Sequence, residues 1–317
     1  YARITGWGGY LPGEPVSNET LARRHNLETT DDWIRQRTGI TQRYFAAPGE
    51  CTSDLAAAAG RAALAQAGLQ ARDLDMVIVA TTTPDRTFPS TAVITQAKIG
   101  ADSAFGFDVQ AVCGGFLYAL ATADAFLKTG QARRALVIGA ETMSRVLDWK
   151  DRGTCVLFGD GAGAFVLEAG KTPGFEGHLL ASDGRLAELL QTDGGVSFNG
   201  EAGLLRMDGK EVFRHAVQKM SESVLTLLAR NRRGVSDVDA LIPHQANQRI
   251  LDAVASKVGI APERAVSTIG MHANTSAASI PLAFSHAMKN SALTSGNHVV
   301  FTALGAGFTW GASHVTL

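Results

Sequence analysis

Short apolar runs alternate along the chain with longer stretches in which apolar residues recur at helical spacing. Leu74–Ala80 (LDMVIVA) is rich in β-branched residues and followed by the breaker Pro84, which predicts a strand buried on both faces. Ala135–Ala140 (ALVIGA) predicts a second such strand and Phe105–Val109 a third. Between them, Ser53–Gln66 predicts a helix with Ser53 as its cap, and Phe116–Leu127 (FLYALATADAFL) a helix with little polar surface. Strands apolar on both faces and separated by helices imply an α/β fold with a mostly parallel sheet, covered on both sides.

The pattern recurs. Leu74-Asp75-Met76-Val77 matches Val238-Asp239-Ala240-Leu241 at an offset of 164 residues, and Ala135-Leu136-Val137 matches His298-Val299-Val300 at 163. The helix opening at Cys113 answers one opening near Thr275, at an offset of 162. Near-constant offsets imply a duplicated half, with a site where the halves meet. On this alignment Asn274 sits at the counterpart of Cys113.

Composition narrows the function classes. With 29 Lys and Arg against 30 Asp and Glu, the formal charge is −1, so no global field draws in nucleic acid or an anionic membrane. Aromatic residues make up 7%, too few for an extended base-stacking surface. The three cysteines, Cys51, Cys113 and Cys155, include no CxxC pair and form no disulfide framework. No run of 18 apolar residues occurs, and Tyr1–Pro12 lacks a signal-peptide pattern. The expectation is a soluble, cytoplasmic protein.

Several motifs fail on inspection. Gly159-Asp160-Gly161-Ala162-Gly163-Ala164 resembles a dinucleotide fingerprint, but its third glycine falls one position early and Phe165-Val166-Leu167 reads as a strand. Gly305-Ala306-Gly307 is likewise followed by strand-like Phe308-Thr309-Trp310. No Walker lysine and no metal-ligand spacing occur, so no metal or cofactor is expected. Asp31-Asp32 after Thr29-Thr30 reads as the opening of a helix.

Val112-Cys113-Gly114-Gly115 lies between a predicted strand and a predicted helix. A cysteine at a helix's first turn faces unpaired N–H groups and the positive end of the dipole, which favour thiolate, the nucleophilic form. Gly114 and Gly115 are poor helix residues, expected here to let a substrate carbonyl approach the backbone. His244 follows a buried-strand run, Leu241-Ile242-Pro243, and Asn274 opens a helix among small residues. Taken singly, a strand-end histidine and an N-cap asparagine are structural; under the duplication both converge on Cys113.

These motifs together resemble the β-ketoacyl-acyl carrier protein synthase III family of the thiolase-like superfamily. The resemblance runs nearly end to end, through Asp32-Trp33-Ile34, Arg37-Thr38-Gly39-Ile40, Ala111–Phe116, Asp151-Arg152-Gly153-Thr154, Phe158–Ala164, Pro243–Asn247, Asn274–Pro281 and Gly307–Gly311. It implies a five-layered αβαβα fold of two pseudo-symmetric halves, residues 1–170 carrying the nucleophile and 171–317 carrying His and Asn, usually as a homodimer. It also implies a Cys113/His244/Asn274 triad, distinct from the Cys/His/His of elongating synthases.

The implied reaction starts with Cys113 taking an acyl group from an acyl-CoA, acetyl-CoA being the expected starter. Malonyl-acyl carrier protein then loses carbon dioxide, with a neutral His244 and Asn274 donating hydrogen bonds to the thioester oxygen. The carbanion attacks the acyl-cysteine, while the Cys113 N–H and the Gly305-Ala306-Gly307 loop serve acyl transfer. The resemblance places Trp33, Arg37 and Arg152 around CoA, Asn247 along the pantetheine, Arg249 against the carrier protein and Phe88 at the acyl pocket and dimer contact. Leu304 and Ala306 depart from the family's usual Phe-Gly-Gly-Gly and bear on starter choice and rate.

A papain-like hydrolase also uses Cys, His and Asn, but would carry an aromatic directly after its nucleophile motif, where Gly114 and Gly115 stand. A non-catalytic carrier-binding relative would tolerate loss of the cysteine, which is present. A secondary-metabolite ketosynthase taking another acyl-CoA would share the triad, and is separated only by its substrates.

Overall fold

The computed structural model describes residues 1–317. Each predicted strand forms: Met76–Ala80, Phe105–Val109 and Arg134–Glu141 lie in one five-stranded sheet with Ala2–Tyr10 and Gly161–Ala169. Its order runs Ala2–Tyr10, Gly161–Ala169, Arg134–Glu141, Met76–Ala80, Phe105–Val109. A second sheet of four strands runs Phe175–Ser182, Thr309–Thr316, His298–Gly305, Ala240–Pro243. Neither sheet is mostly parallel. In the first, Gly161–Ala169 runs antiparallel to both neighbours, because it leaves Arg134–Glu141 and returns through the same sheet without a crossover.

The two sheets follow one plan. Met76 pairs with Ala135 as Ala240 pairs with Val299, so both strands repeat at an offset of 164 residues. The single-turn helices Ala71–Asp73 and Val235–Asp237 share that offset, and so do the turns Val112–Gly114 and Ser276–Ala278. The fifth strand of the second sheet is reduced to one bridge between Leu241 and Ala265.

Strand alternation sorts the core. Met76, Ile78 and Ala80 join a central cluster with Ala240, Ile242, Val299 and Phe301 of the other sheet, while Val77 and Val79 face outward under the helix Thr52–Ala67. Between the sheets lie the helices Gly115–Lys128 and Ser279–Lys289, which supply Phe116 and Phe284. These rings bridge the sheets: Phe116 meets Phe165 at 5.0 Å, Phe165 meets Phe284 at 4.7 Å, and Phe284 meets Phe301 at 5.9 Å. Gly209–Arg230 and Gln248–Val258 cover the second sheet's outer side, which completes five layers. No helix is long and apolar enough to cross a membrane.

Two local readings need correction. The helix Thr52–Ala67 is preceded by Cys51, whose N–H donates to Asp54 at 2.9 Å, and Ser53 instead hydrogen-bonds Asp85. The nucleotide-like glycines serve packing: a Cβ on Gly163 would fall 2.7 Å from the Leu282 nitrogen, so the glycine lets a helix rest directly on the strand.

Gly139 shows the same constraint more severely, since an added Cβ would lie 2.2 Å from the Ala277 carbonyl oxygen. Gly139→Ala is expected to destabilise the protein by about 2–3 kcal/mol or more in urea unfolding. Gly184→Ala, where the added atom meets nothing within 4 Å, should stay within about 0.5 kcal/mol of the parent.

Candidate active site

Cys113 lies in the turn Val112–Gly114 that feeds Gly115–Lys128, and Ser276–Ala278 feeds Ser279–Lys289 in the other half. Val112 has φ 48° and Ser276 φ 51°, the same left-handed entry at equivalent positions and a strained one for a β-branched valine. By this register the counterpart of Cys113 is Ala277, not Asn274. Asn274 lies three residues earlier because the second elbow carries its polar group ahead of the turn.

Cys113, His244 and Asn274 nevertheless line one cavity of about 370 Å³, in which 17 of 25 lining residues are hydrophobic. All three are buried, at 6%, 2% and 6% exposure. Apolar side chains including Met143, Leu190, Leu205 and Met220 form its walls. Cys51 is exposed and lies elsewhere, and buried Cys155 does not line the cavity.

The tautomer of His244 follows from its partners. The Ser279 hydroxyl accepts from the Gln245 N–H at 3.2 Å and lies 2.7 Å from His244 Nδ1. Donation from that hydroxyl to Nδ1 gives its proton an acceptor and leaves the ring proton on Nε2, which has no protein partner. Burial pushes the imidazole down to about 3, so it stays neutral. Asn274 is oriented in a similar way: its Oδ1 accepts from the Ser276 N–H at 2.9 Å, which leaves its amide N–H groups free. Two neutral donors therefore share the cavity with Cys113.

The thiol departs from the sequence expectation. Burial pushes Cys113 up to about 12; the charge of Glu141 adds to this, while the Ser276 hydroxyl and the cysteine's own N–H act in the opposite direction. Cys113 therefore rests as a thiol, because desolvation by burial outweighs the helix start. Gly114 after it packs closely on the protein itself: an added Cβ would lie 3.1 Å from the Thr309 hydroxyl, whereas one on Gly115 would meet Ala80 Cβ at an ordinary 3.4 Å.

Gly305 sits against the elbow, where an added Cβ would fall 2.7 Å from the Cys113 nitrogen. Leu304 lines the cavity, whereas Ala306 packs against the core of the second half and Gly307 lies outside the lining. At the mouth, the Arg37 and Arg152 guanidinium groups lie 4.4 Å and 4.9 Å from the Trp33 ring. Asn247 lines the passage and caps Gln248–Val258 by accepting from Ile250 N–H at 3.0 Å; exposed Arg249 stands beside Phe213. Phe88 is 81% exposed and lines no part of its own chain's cavity.

Residues 107–184 and 228–317 match the models of 3-oxoacyl-[acyl-carrier-protein (ACP)] synthase III and of its C-terminal region. A β-ketoacyl-[acyl-carrier-protein] synthase III of Rhodospirillum rubrum is 56% identical over 99% of this chain and 98% of its own length. The chain belongs to the β-ketoacyl-acyl carrier protein synthase III family. It is thus an acyltransferase, a ketosynthase of fatty-acid biosynthesis with the thiolase-like fold. The Erythrobacter litoralis member is 54% identical over 99% of this chain and 98% of its own. The Aquifex aeolicus 3-oxoacyl-[acyl-carrier-protein] synthase III structure superposes with a TM-score of 0.95 at 41% identity, covering 100% of both chains. The priming β-ketosynthase of the R1128 polyketide pathway superposes at 0.94 with 34% identity, covering 100% of this chain and 96% of its own.

Sequence reasoning gave no role to Ser279, Ser276 or Glu141, although the first two lie in the Asn274–Pro281 motif; a serine in a small-residue run reads as packing. His244 gives a signed expectation. Its pKa is about 3 when folded against 6.5 for the ordinary group, so its neutral form contributes stability fully above about pH 6.5 and loses it as pH falls toward 3. In nitrogen NMR, His244 should remain a neutral Nε2–H imidazole down to about pH 5, whereas Ser279→Ala should give mixed tautomers.

Proposed function

We propose that the protein performs the initiating condensation of fatty-acid synthesis, joining an acyl group from acyl-CoA, with acetyl as starter, to malonyl-acyl carrier protein. The observation that carries this reading is the pair of unpartnered neutral donors, His244 Nε2–H and the Asn274 amide, in one apolar cavity with Cys113. A general base would be a poor fit for a histidine held at about 3. A donor that cannot become a cation suits an oxygen that gains charge only in the reaction.

Cys113 attacks the thioester carbonyl of acyl-CoA, and the C–S bond to CoA breaks. CoA leaves as the thiolate and takes up the proton that the Cys113 S–H bond gives up in the attack. Malonyl-acyl carrier protein then binds, and its C–C bond to the carboxylate breaks with release of carbon dioxide. The electron pair moves onto the thioester oxygen, between His244 and Asn274. The resulting carbanion attacks the acyl-Cys113 carbonyl, whose oxygen accepts from the Cys113 N–H, against which Gly305 packs. The attack forms the new C–C bond, and collapse of the tetrahedral intermediate breaks the C–S bond and expels the Cys113 sulfur as thiolate, which takes a proton from solvent. The dry, apolar walls keep water from the acyl-enzyme and strengthen both donor contacts.

At the mouth, the Arg37 and Arg152 guanidinium groups lie over the Trp33 ring, a cationic and aromatic cluster suited to the adenine and phosphates of CoA. Asn247 has its amide free toward the pantetheine passage, and Arg249 is exposed to meet an acidic carrier protein. We place the division of the halves at residue 170, between the last strand of the first sheet and the first strand of the second. A second reading, a ketosynthase priming secondary metabolism with another acyl-CoA, is favoured by the likeness to the R1128 enzyme.

The edge of the first sheet supports pairing with a second copy. Phe105–Val109 has a free edge, Phe105 is 43% exposed, and Phe105, Phe107 and Phe126 cluster at ring separations of 5.7 to 6.5 Å. Phe88, exposed on its own chain, would then reach toward the partner's pocket. Phe107→Arg is expected to turn a dimer into a monomer in sedimentation; a parent that is already monomeric would sink this pairing.

Mixed with acetyl-CoA, the parent should gain about one acetyl group by intact mass spectrometry, and Cys113→Ala none. Labelling only by longer or aromatic acyl-CoAs would favour the second reading, and no adduct from any would point to a non-catalytic carrier-binding protein. His244→Ala and Asn274→Ala should still acylate but lose condensation by about 10²–10³.

A further inference from the structure

The second sheet gathers polar side chains at the end away from the cavity. The strands Phe175–Ser182 and Thr309–Thr316 slip register between His314 and Val315: Gly177 pairs with His314, but Phe175 pairs with Val315. Glu176 is the extra residue of this bulge, and a bulge re-aims the side chain it frees. On the neighbouring strand His298 pairs with Thr316, and His314 lies two residues before Thr316, on the same face. Three strands thus bring Glu176, His298 and His314 together, with one oxygen or ring nitrogen from each within 4.8 Å of the others.

Their spacing suits a shared ion better than direct hydrogen bonds. His298 Nδ1 stands 3.4 Å from Glu176 Oε1, and His314 Nδ1 stands 3.5 Å from Glu176 Oε2. A hydrogen-bonded pair closes to about 2.7–3.2 Å. Two ligands on a tetrahedral ion with bonds of about 2.0–2.1 Å lie about 3.3–3.4 Å apart. The Thr316 hydroxyl, 3.2 Å from His298 Nδ1, donates to Glu176 Oε1 at 2.6 Å and so fixes the carboxylate from outside. Asn231 meets His314 Nδ1 at 3.1 Å, and the exposed Arg233 guanidinium lies 3.4 Å from both carboxylate oxygens. An ion would displace both, and the charge of Arg233 opposes it.

We propose that Glu176, His298 and His314 form a binding site for a divalent transition-metal ion, zinc being the ion that suits two imidazoles and a carboxylate. Water completes the fourth position from a surface cleft of about 460 Å³ lined by Glu176, His298 and Thr316, which is also the way in. The ion ties the ends of three strands together. It takes no part in acyl transfer, because His298 opens the strand whose far end, Gly305, packs against the Cys113 nitrogen, about 23 Å along the strand. The ligands come from three strands and share no local spacing, which is why the sequence pattern suggested no metal.

The test is calorimetric titration of the full, tag-free chain with zinc, with cobalt(II) as an optical probe. The parent should bind one zinc per chain with a Kd of about 10 µM or tighter. Cobalt should give the visible absorption of a tetrahedral ion without the thiolate band that a site at exposed Cys51 would add. Glu176→Gln and His298→Ala, both at partly exposed strand ends, should each weaken zinc binding at least about tenfold. Arg233→Ala removes the opposing charge and should tighten binding about threefold or more, a response that scattered surface histidines would not give. A parent that takes up no zinc at about ten times the expected Kd would overturn the site, as would unchanged binding in both ligand variants. If the ligand variants do not fold, Arg233→Ala decides alone, and an affinity no tighter than the parent's overturns the site.

Discussion

The architecture depends on how closely two buried helix starts approach the sheets around them. Gly139 lies against the Ala277 carbonyl and Gly163 against Pro281 and Leu282, while Gly305 lies against the Cys113 and Gly114 nitrogens. At each place a single methyl group would overlap the backbone opposite. Backbone resting on backbone sets the depth of both elbows, and with it the position of every side chain that the elbows carry. The strained entries at Val112 and Ser276 are tolerated because close packing on all sides over-determines them.

That burial also sets the chemistry. A cysteine at an exposed helix start would be expected as thiolate and a histidine beside it as its base. Here desolvation holds the thiol protonated and the imidazole neutral. An ion pair is thus disfavoured at rest, and His244 and Asn274 are left as donors of fixed direction. Such donors strengthen where charge appears late, on a thioester oxygen. They give little to a resting anion, because none is there.

The duplicated plan is used unequally. At equivalent positions, Cys113 faces Ala277, Val112 faces Ser276, and the strand end carries Ala80 in one half and His244 in the other. The first half brings Cys113 and the buried carboxylate Glu141, and the second brings His244, Asn274 and the Ser276 hydroxyl that donates to Glu141. The fold repeats, but the site occurs once, because one cavity takes Cys113 from the first elbow and Asn274 from ahead of the second.

The element pattern was legible because it is written in period and run length. The strand Phe105–Val109 stands where its run predicts, and Met76–Ala80 and Arg134–Glu141 lie within two residues of their runs. The duplication was visible too, though its register at the second elbow was off by two residues, because glycines and small residues leave little pattern to align. Motifs in order carried the family, and with it the three residues of the cavity. Strand direction was not legible: an antiparallel Gly161–Ala169 and a parallel strand bury the same apolar residues. The thiol's protonation and the His244 tautomer were decided only by the tertiary structure. Each depends on which atoms lie within about 3 Å and on how much water is excluded, and neither is a property of neighbours along the chain.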